Sequence, residues 1–358
     1  MDLKLANSKK RFRFFVACLI LLLIVVTVAS IAIGSTYIEQ GEVYRVLLSK
    51  LTNGLLFEEA GSSMSQSIIW EIRFPRVLLG AICGAGLAVC GVLMQCVTKN
   101  PIAEPYILGI SSGASCGAVG VIVLGGVSSL SLMQNISIGA GAFIGSILSG
   151  ILVFSIGTQM GKTTSTTRLV LCGMAISTIF SALTNLLIYS AKNSNVAKNA
   201  LFWSVGSLGG AKWEVLLFPA IILVLVIFIS FLLSKSLDIL LLGDDSAIIL
   251  GINVKRIKFV ILILATLLIS ALVSITGAIG FIGLVVPHIC RSLVGSDHKK
   301  IIILSSLTGA IFLIISDVIA RAIFPPIEIP IGIITSLIGG PFFLYLISKK
   351  NYSFGGRD

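Results

Sequence analysis

The sequence predicts an all-α, polytopic membrane protein with about ten transmembrane helices. Three observations carry this. The chain has 358 residues, 56% apolar and only 11% charged, where a soluble domain carries about 25% charged residues. The charges are segregated: residues 14–38, 77–98, 105–161, 169–191, 215–234 and 259–290 contain none. A spanning helix needs roughly 20 apolar residues at 1.5 Å rise each. Each stretch can therefore hold a span, and 105–161 must hold two. Finally, Lys and Arg sort to one side of the resulting topology, as the positive-inside rule requires.

The helices are expected near 14–36, 77–98, 105–127, 137–158, 167–190, 213–233, 257–276, 279–295, 302–321 and 332–348. The first follows a basic start, "KKRFR", but its apolar run is too long for a cleaved signal peptide, so it reads as an uncleaved span. The second begins after "RFPR" (73–76). Gly125–Gly126 with "SSLSLMQN" supplies the turn between the third and fourth. Lys162 and Arg168 separate the fourth and fifth, and Lys212 precedes the sixth. The stretch 259–290 is too long for one span and short for two. Gly277, Gly280, Gly283 and Pro287 interrupt it, so the break falls near Thr276–Ile279. One kinked span there would give nine helices and an outside C-terminus. With ten helices and an inside N-terminus, 18 of the 26 Lys and Arg lie on inner segments. Residues 1–13 and 349–358 are then cytoplasmic tails of a single transmembrane domain covering 1–358.

The net charge of +11 follows from this topology and needs no nucleic-acid partner. Lipid is the surrounding medium. The seven cysteines lie mostly in apolar segments, without CxxC or other metal spacing, and read as small core residues. "GTQMGKTT" (157–164) has three residues between Gly157 and Gly161, one short of a P-loop, and follows an apolar helix rather than a strand. The chain therefore has no ATPase of its own and no directly bound cofactor. Beyond Glu214, at the very start of the sixth, the only acid within the spans is Asp317, four residues before Arg321, as expected of an i, i+4 pair. That scarcity argues against an ion-coupled secondary carrier. An integral-membrane enzyme would need a His/Asp/Glu cluster at ligand spacing, which is missing. Gly109, Gly113 and Gly117 recur every four residues, like Gly80/Gly84 and Gly141/Gly145, and predict tight helix packing. His288, after Pro287, reads as a packed structural residue.

Two connections stand out. Residues 37–75 form a long outer loop with five glutamates. Residues 234–258, "SKSLDILLLGDDSAIILGINVKRIK", form the longest inner connection. There Asp244 or Asp245 can N-cap a short helix and Gly251 can end it. Too short to span and too apolar for a solvated linker, it is either an interfacial helix or a docking element for a cytoplasmic partner. "KNPIAEP" (99–105) makes a non-helical corner between two prolines.

The stretch "RFPRVLLGAICGAGLAVCGVLMQCVTKNPIAEPYILGISSGAS" (73–115) closely resembles the second and third helices of the iron-siderophore and cobalamin permease family, the type II binding-protein-dependent ABC importers. "GAIGFIGLVVPHICRSLVGSDHK" (277–299) and "SDVIARAIFPPIEIPIGIITSLIGGPFF" (316–343) are similar to its C-terminal signature, and "LGDDSAIILGINVKR" (242–256) to its coupling loop. The resemblance covers roughly 60–348. It implies ten helices, a homo- or heterodimer of permease subunits around the pore, two ATPase subunits docked from the cytoplasm, and a substrate-binding protein docked from outside. ATP is then used by a partner chain, and the permease is not an enzyme. The resemblance aligns Arg73, Arg76 and Arg321 with basic residues that receive the binding protein's carboxylates. Without it, arginines at a membrane edge would be read as snorkelling to lipid phosphates. It aligns Asn100 and Ile102 with one cytoplasmic gate, and Thr166 and Thr167 with the other. Ile102 stands where the family more often has Leu, and Thr167 where Ser is commoner. In the coupling helix it aligns Asp245, Ala247, Leu250 and Gly251, beside Asp244. The implied cargo is a ferric siderophore, with haem and cobalamin as alternatives.

Overall fold

In the computed structural model the described residues are 2–34, 36, 38–55, 57, 61–125, 137–159, 166–191 and 193–348. The chain is all-helical there. Ten helices run through the bundle: α1 (Asp2–Ala32), α4 (Phe74–Thr98), α5 (Ile110–Gly125), α6 (Ile138–Gln159), α7 (Thr166–Tyr189), α9 (Trp213–Leu232), α12 (Val254–Thr276), α13 (Ile282–Val294), α14 (His298–Ala322) and α15 (Ile331–Ser348). Shorter ones connect them: α2 (Gln40–Leu51), α3 (Ser63–Ser67), α8 (Ser194–Val205), α10 (Ser234–Leu240) and α11 (Asp244–Ile249). Eight helices are long and apolar enough to cross a membrane, while α5 and α13 are shorter apolar helices. The break expected near Thr276–Ile279 is present, between the end of α12 and the start of α13. The expected turn after Gly125 and most of "GTQMGKTT" lie outside the described residues, as does the tail 349–358.

Helix α4 is the axis of the bundle. It packs on α12, α13 and α14, and its apolar face is buried almost throughout. Its contacts are close because glycines meet: a β-carbon on Gly84 would overlap the carbonyl of Gly309 in α14, and one on Gly91 the carbonyl of Gly283 in α13. The same device joins α5 to α6, where Gly113 and Gly117 face Gly145 and Gly141. Gly109 also meets α6, where Ser149 Oγ donates to its carbonyl at 2.8 Å. It precedes α5 with φ +68° and ends a 3₁₀ turn, Pro105–Leu108.

The described residues of the segment 37–75 are largely helical. Helix α2 buries Val43, Val46 and Leu47 against Ile31, Ile69 and Val77. Helix α3 runs through a π-helical turn, Ile68–Arg73, straight into α4. Pro75 explains the turn. A proline inside a continuous α-helix lacks its N–H and strikes the carbonyl four residues back. One turn of i→i+5 pairing, with Phe74 N–H donating to Ile69 O, moves the ladder past the ring. Trp213 Nε1–H donates to Trp70 O at 3.0 Å and the two rings meet at a tilt with centroids 5.2 Å apart, so this turn also holds the start of α9. Helix α8, missed in sequence, is too short to span.

Candidate functional site

Three groups of sequence-singled residues occupy three places. The arginines come first. Arg73, Arg76 and Arg321 are all buried, and their donors are engaged within the chain. Asp317, itself buried, accepts from Arg76 Nε at 3.0 Å through Oδ1 and from Arg321 Nε at 2.9 Å through Oδ2. Arg76 also reaches Glu328 Oε2 at 2.7 Å. Arg321 donates to Ile33 O at 2.6 Å and Ser30 Oγ at 3.0 Å, and Arg73 to Ile31 O at 2.9 Å, Ala32 O at 3.1 Å and Thr36 O. The last turn of α1 leaves carbonyls without helical partners and carries the negative end of the helix dipole. Two guanidiniums cap it. The i, i+4 pair Asp317–Arg321 expected from sequence is present, and Arg76 closes it from 241 residues away. These arginines therefore staple α1, α4 and α14. Within this chain they are buried and paired rather than exposed.

The corner 99–109 is second. Lys99 ends α4 at φ +50°. Asn100 Oδ1 accepts from Ile102 N at 3.0 Å, a turn that fixes the corner's shape. Ile102 is partly buried. The chain then re-enters the bundle. Glu104 accepts from Phe281 N–H, and Tyr106 Oη donates to Ile279 O at 2.9 Å and accepts from Ile279 N at 3.1 Å. Glu104 was read in sequence as part of a connector; the structure makes it a second carboxylate inside the bundle. Thr166 and Thr167 begin α7, with Thr167 exposed and the side chain of Thr166 outside the described residues. The corner's continuation meets α7 further along, where Ser112 Oγ and Ser177 Oγ lie 2.6 Å apart.

The third group is α11. Its N-cap is Gly243, at φ +114°, and no side chain caps it. Asp244 and Asp245 instead occupy the first turn, where their charge suits the helix dipole. Asp244 is drawn into a clamp: its carboxylate lies 2.8 Å from Lys99 Nζ and 2.7 Å from the buried Lys258 Nζ. Partial burial pushes its pKa up, but the two lysines outweigh this and hold it below the ordinary aspartate value. The other end is a Schellman motif. Gly251 is left-handed at φ +81°, its N–H bonds Ile248 O at 2.9 Å, and Ile252 N–H bonds Ala247 O at 2.9 Å. Ala247 is buried and faces the bundle, whereas Ile248, Ile249 and Leu250 are exposed. Asp238, in α10, ties this segment to α14 by accepting from His298 N at 3.0 Å and bonding its Nδ1 at 2.7 Å. Neither His298 nor Gln95, which bridges Arg291 and the carbonyls of Gly283 and Leu284, was legible as functional in sequence. Among the described residues no group of three or more His, Cys, Asp or Glu could hold a metal ion.

The sequence profile of the FecCD transport family matches residues 22–349. The chain belongs to this family. The FecCD chain is 36% identical over 345 residues to the hemin transport system permease protein HmuU of Yersinia pestis, covering 96% of this chain and 98% of that one. It is 39% identical to the cobalamin import system permease protein BtuC of Halobacterium salinarum, over 80% of this chain and 74% of the relative. It is 38% identical to the Fe(3+) dicitrate transport system permease protein FecD of Escherichia coli, over 79% and 85%. A solved structure of a metal-chelate type ABC transporter in an inward-facing conformation superposes with a TM-score of 0.77 at 31% identity, covering 94% of this chain and 99% of that one. This FecCD protein is thus the permease of a metal-chelate type ABC importer, a multi-span protein of the cell membrane and not an enzyme. Permeases of this type work with ATPase and binding-protein partners.

Proposed function

We propose that this permease translocates a ferric siderophore, with two ATPase subunits docked on α11 from the cytoplasm, a binding protein on the opposite face and a second permease subunit beside it. The observation that supports the docking reading is α11 itself. A six-residue helix is anchored by Ala247 and the Asp244 clamp and presents Ile248, Ile249 and Leu250 to the outside. A solvated linker would not expose that row, and a lipid-facing one would not need the clamp. Asn100, Ile102, Thr166 and Thr167 then line the cytoplasmic end of the passage. The loaded binding protein docks, ATP closes the ATPase dimer, and the α11 helices turn that motion into a switch of access. Substrate choice rests with the binding protein, so the passage needs no strong site.

Iron chelate is favoured as cargo because permeases for Fe(3+) dicitrate, Fe(3+)-citrate and siderophores recur among the relatives. The haem permease, matched over nearly the whole chain, supports the alternative. Growth of a deletion strain on single iron sources separates them. Loss of growth on ferric siderophores, with haem use intact, is expected. Loss confined to haem or to cobalamin reassigns the cargo.

The orientation follows from the basic residues. A cysteine introduced at Ser296, exposed in the turn before α14, should react in whole cells only with membrane-permeant reagents. One at Ser63, exposed at the start of α3, should react with impermeant reagents. Labelling of position 296 from outside would reverse the topology.

A further inference from the structure

We propose that residues 99–106 form a stiff strut that carries the position of the coupling segment to the break between α12 and α13, with Glu104 and Tyr106 as its positioning residues. The inference rests on the importer reading of α11. At one end of the strut, Lys99 is ion-paired to Asp244 in the first turn of α11. At the other, Glu104 holds the N–H of Phe281, and the Tyr106 hydroxyl bonds both the N–H and the carbonyl of Ile279. Between them the chain has little freedom. Pro101 and Pro105 fix two φ angles, the Asn100 side chain locks the intervening turn, Ala103 N–H bonds Asn100 O at 3.1 Å, and a 3₁₀ turn follows. Pro105 also lies against Gly283, where a β-carbon would overlap its ring.

The receiving end is built like a hinge. Phe281 sits at φ +69°, a region that bulky residues avoid, just ahead of the first turn of α13. Gly283 lies against Gly91, seven residues from the end of α4 and so about 10 Å into the bundle. The Phe281 ring fills the notch at Gly339 of α15, so a shift of the break is felt by that helix. Gly277, at the other side of the break, abuts Trp203 O and Gly206 at the end of α8. The contacts therefore run without a gap from α11 through 99–106 to α15 and α8. A contiguous chain of this kind is what carries coupling between distant sites when one element has two arrangements.

The Glu104 contact is to a backbone N–H, so an amide oxygen can replace the carboxylate. This sets the test. The full complex of permease, ATPase and binding protein is reconstituted in proteoliposomes with Glu104→Ala, Glu104→Gln or Tyr106→Phe, and uptake and ATP hydrolysis are measured together. Expected is a fall of about fivefold or more in substrate moved per ATP for Glu104→Ala and Tyr106→Phe. Binding-protein-stimulated hydrolysis should stay within about twofold, and Glu104→Gln should restore coupling. If Glu104→Gln is as defective as Glu104→Ala, the negative charge and not the strut is what matters, and the proposal fails. It fails equally if Tyr106→Phe, which removes one hydroxyl and little packing, keeps normal coupling, and that variant decides should Glu104→Ala not assemble. Failure of the importer reading shows separately, as wild-type complex whose hydrolysis ignores the binding protein.

Discussion

Replacing Asp317 by Ala should remove folded permease from the membrane. Two buried guanidiniums, Arg76 and Arg321, share this carboxylate, and only Arg76 has a second acid, the half-exposed Glu328. Breaking a buried ion pair from one side costs about 3–5 kcal/mol because the partner charge stays buried and uncompensated. That is a large share of the 5–15 kcal/mol by which a protein is typically stable. Arg76→Glu should be as damaging, since it places a third carboxylate beside Asp317 and Glu328. Asp317→Asn, which keeps hydrogen-bond acceptance but not charge, should lie between. The check is the amount of protein extracted in monodisperse form and its melting temperature in detergent, before any transport assay. Were Arg76→Glu to fold normally and lose only the salt-sensitive attachment of a binding protein, the arginines would be docking charges and the staple would be incidental. Sequence alone favoured that docking outcome, through exposed pairs worth about 0–1 kcal/mol each; burial changes both the expected magnitude and the expected readout.

Gly251→Val should do the opposite, leaving the fold intact and uncoupling transport. Apart from its own chain neighbours, no atom of this chain lies within 4 Å of where a β-carbon would sit, so there is no clash to unfold the chain. The cost is conformational. Gly251 stands at φ +81°, and a β-branched residue in the left-handed region costs about 1–2 kcal/mol. The chain can escape it by unwinding the Schellman end of α11, which shifts Leu250 and Ile249. Stimulation of ATP hydrolysis by the binding protein should fall at least about fivefold with unchanged membrane abundance. Gly251→Asn is the control, because Asn tolerates the left-handed region, and it should retain most coupling. Equal activity of the Val variant would show that the end of α11 plays no part in transmission.

Much of this protein was decided within short stretches of sequence. Uncharged runs set the spans, and the glycines after Thr276 set the break, because a helix in lipid must be apolar along its length and glycine and proline weaken it locally. The left-handed end of α11 was legible for the same reason: Gly251 follows a short apolar turn and needs no distant partner. The structure corrected readings wherever a polar group found its partner far along the chain. Asp317 and Arg321 were seen as a pair, but nothing local to "RFPR" says that Arg76 completes it or that Arg73 caps α1. Asp244 looked like a helix cap, and Lys99 and Lys258 turned it into a clamp. Glu104 sat in what read as a connector until the fold carried it to Phe281. Pro75 seemed to mark a helix start, and a π turn let the helix run through it. Composition and period state which segments enter the membrane, since that depends on each segment's own transfer free energy. Which buried charges neutralise one another depends on how the helices are arranged, and only the tertiary structure decided it.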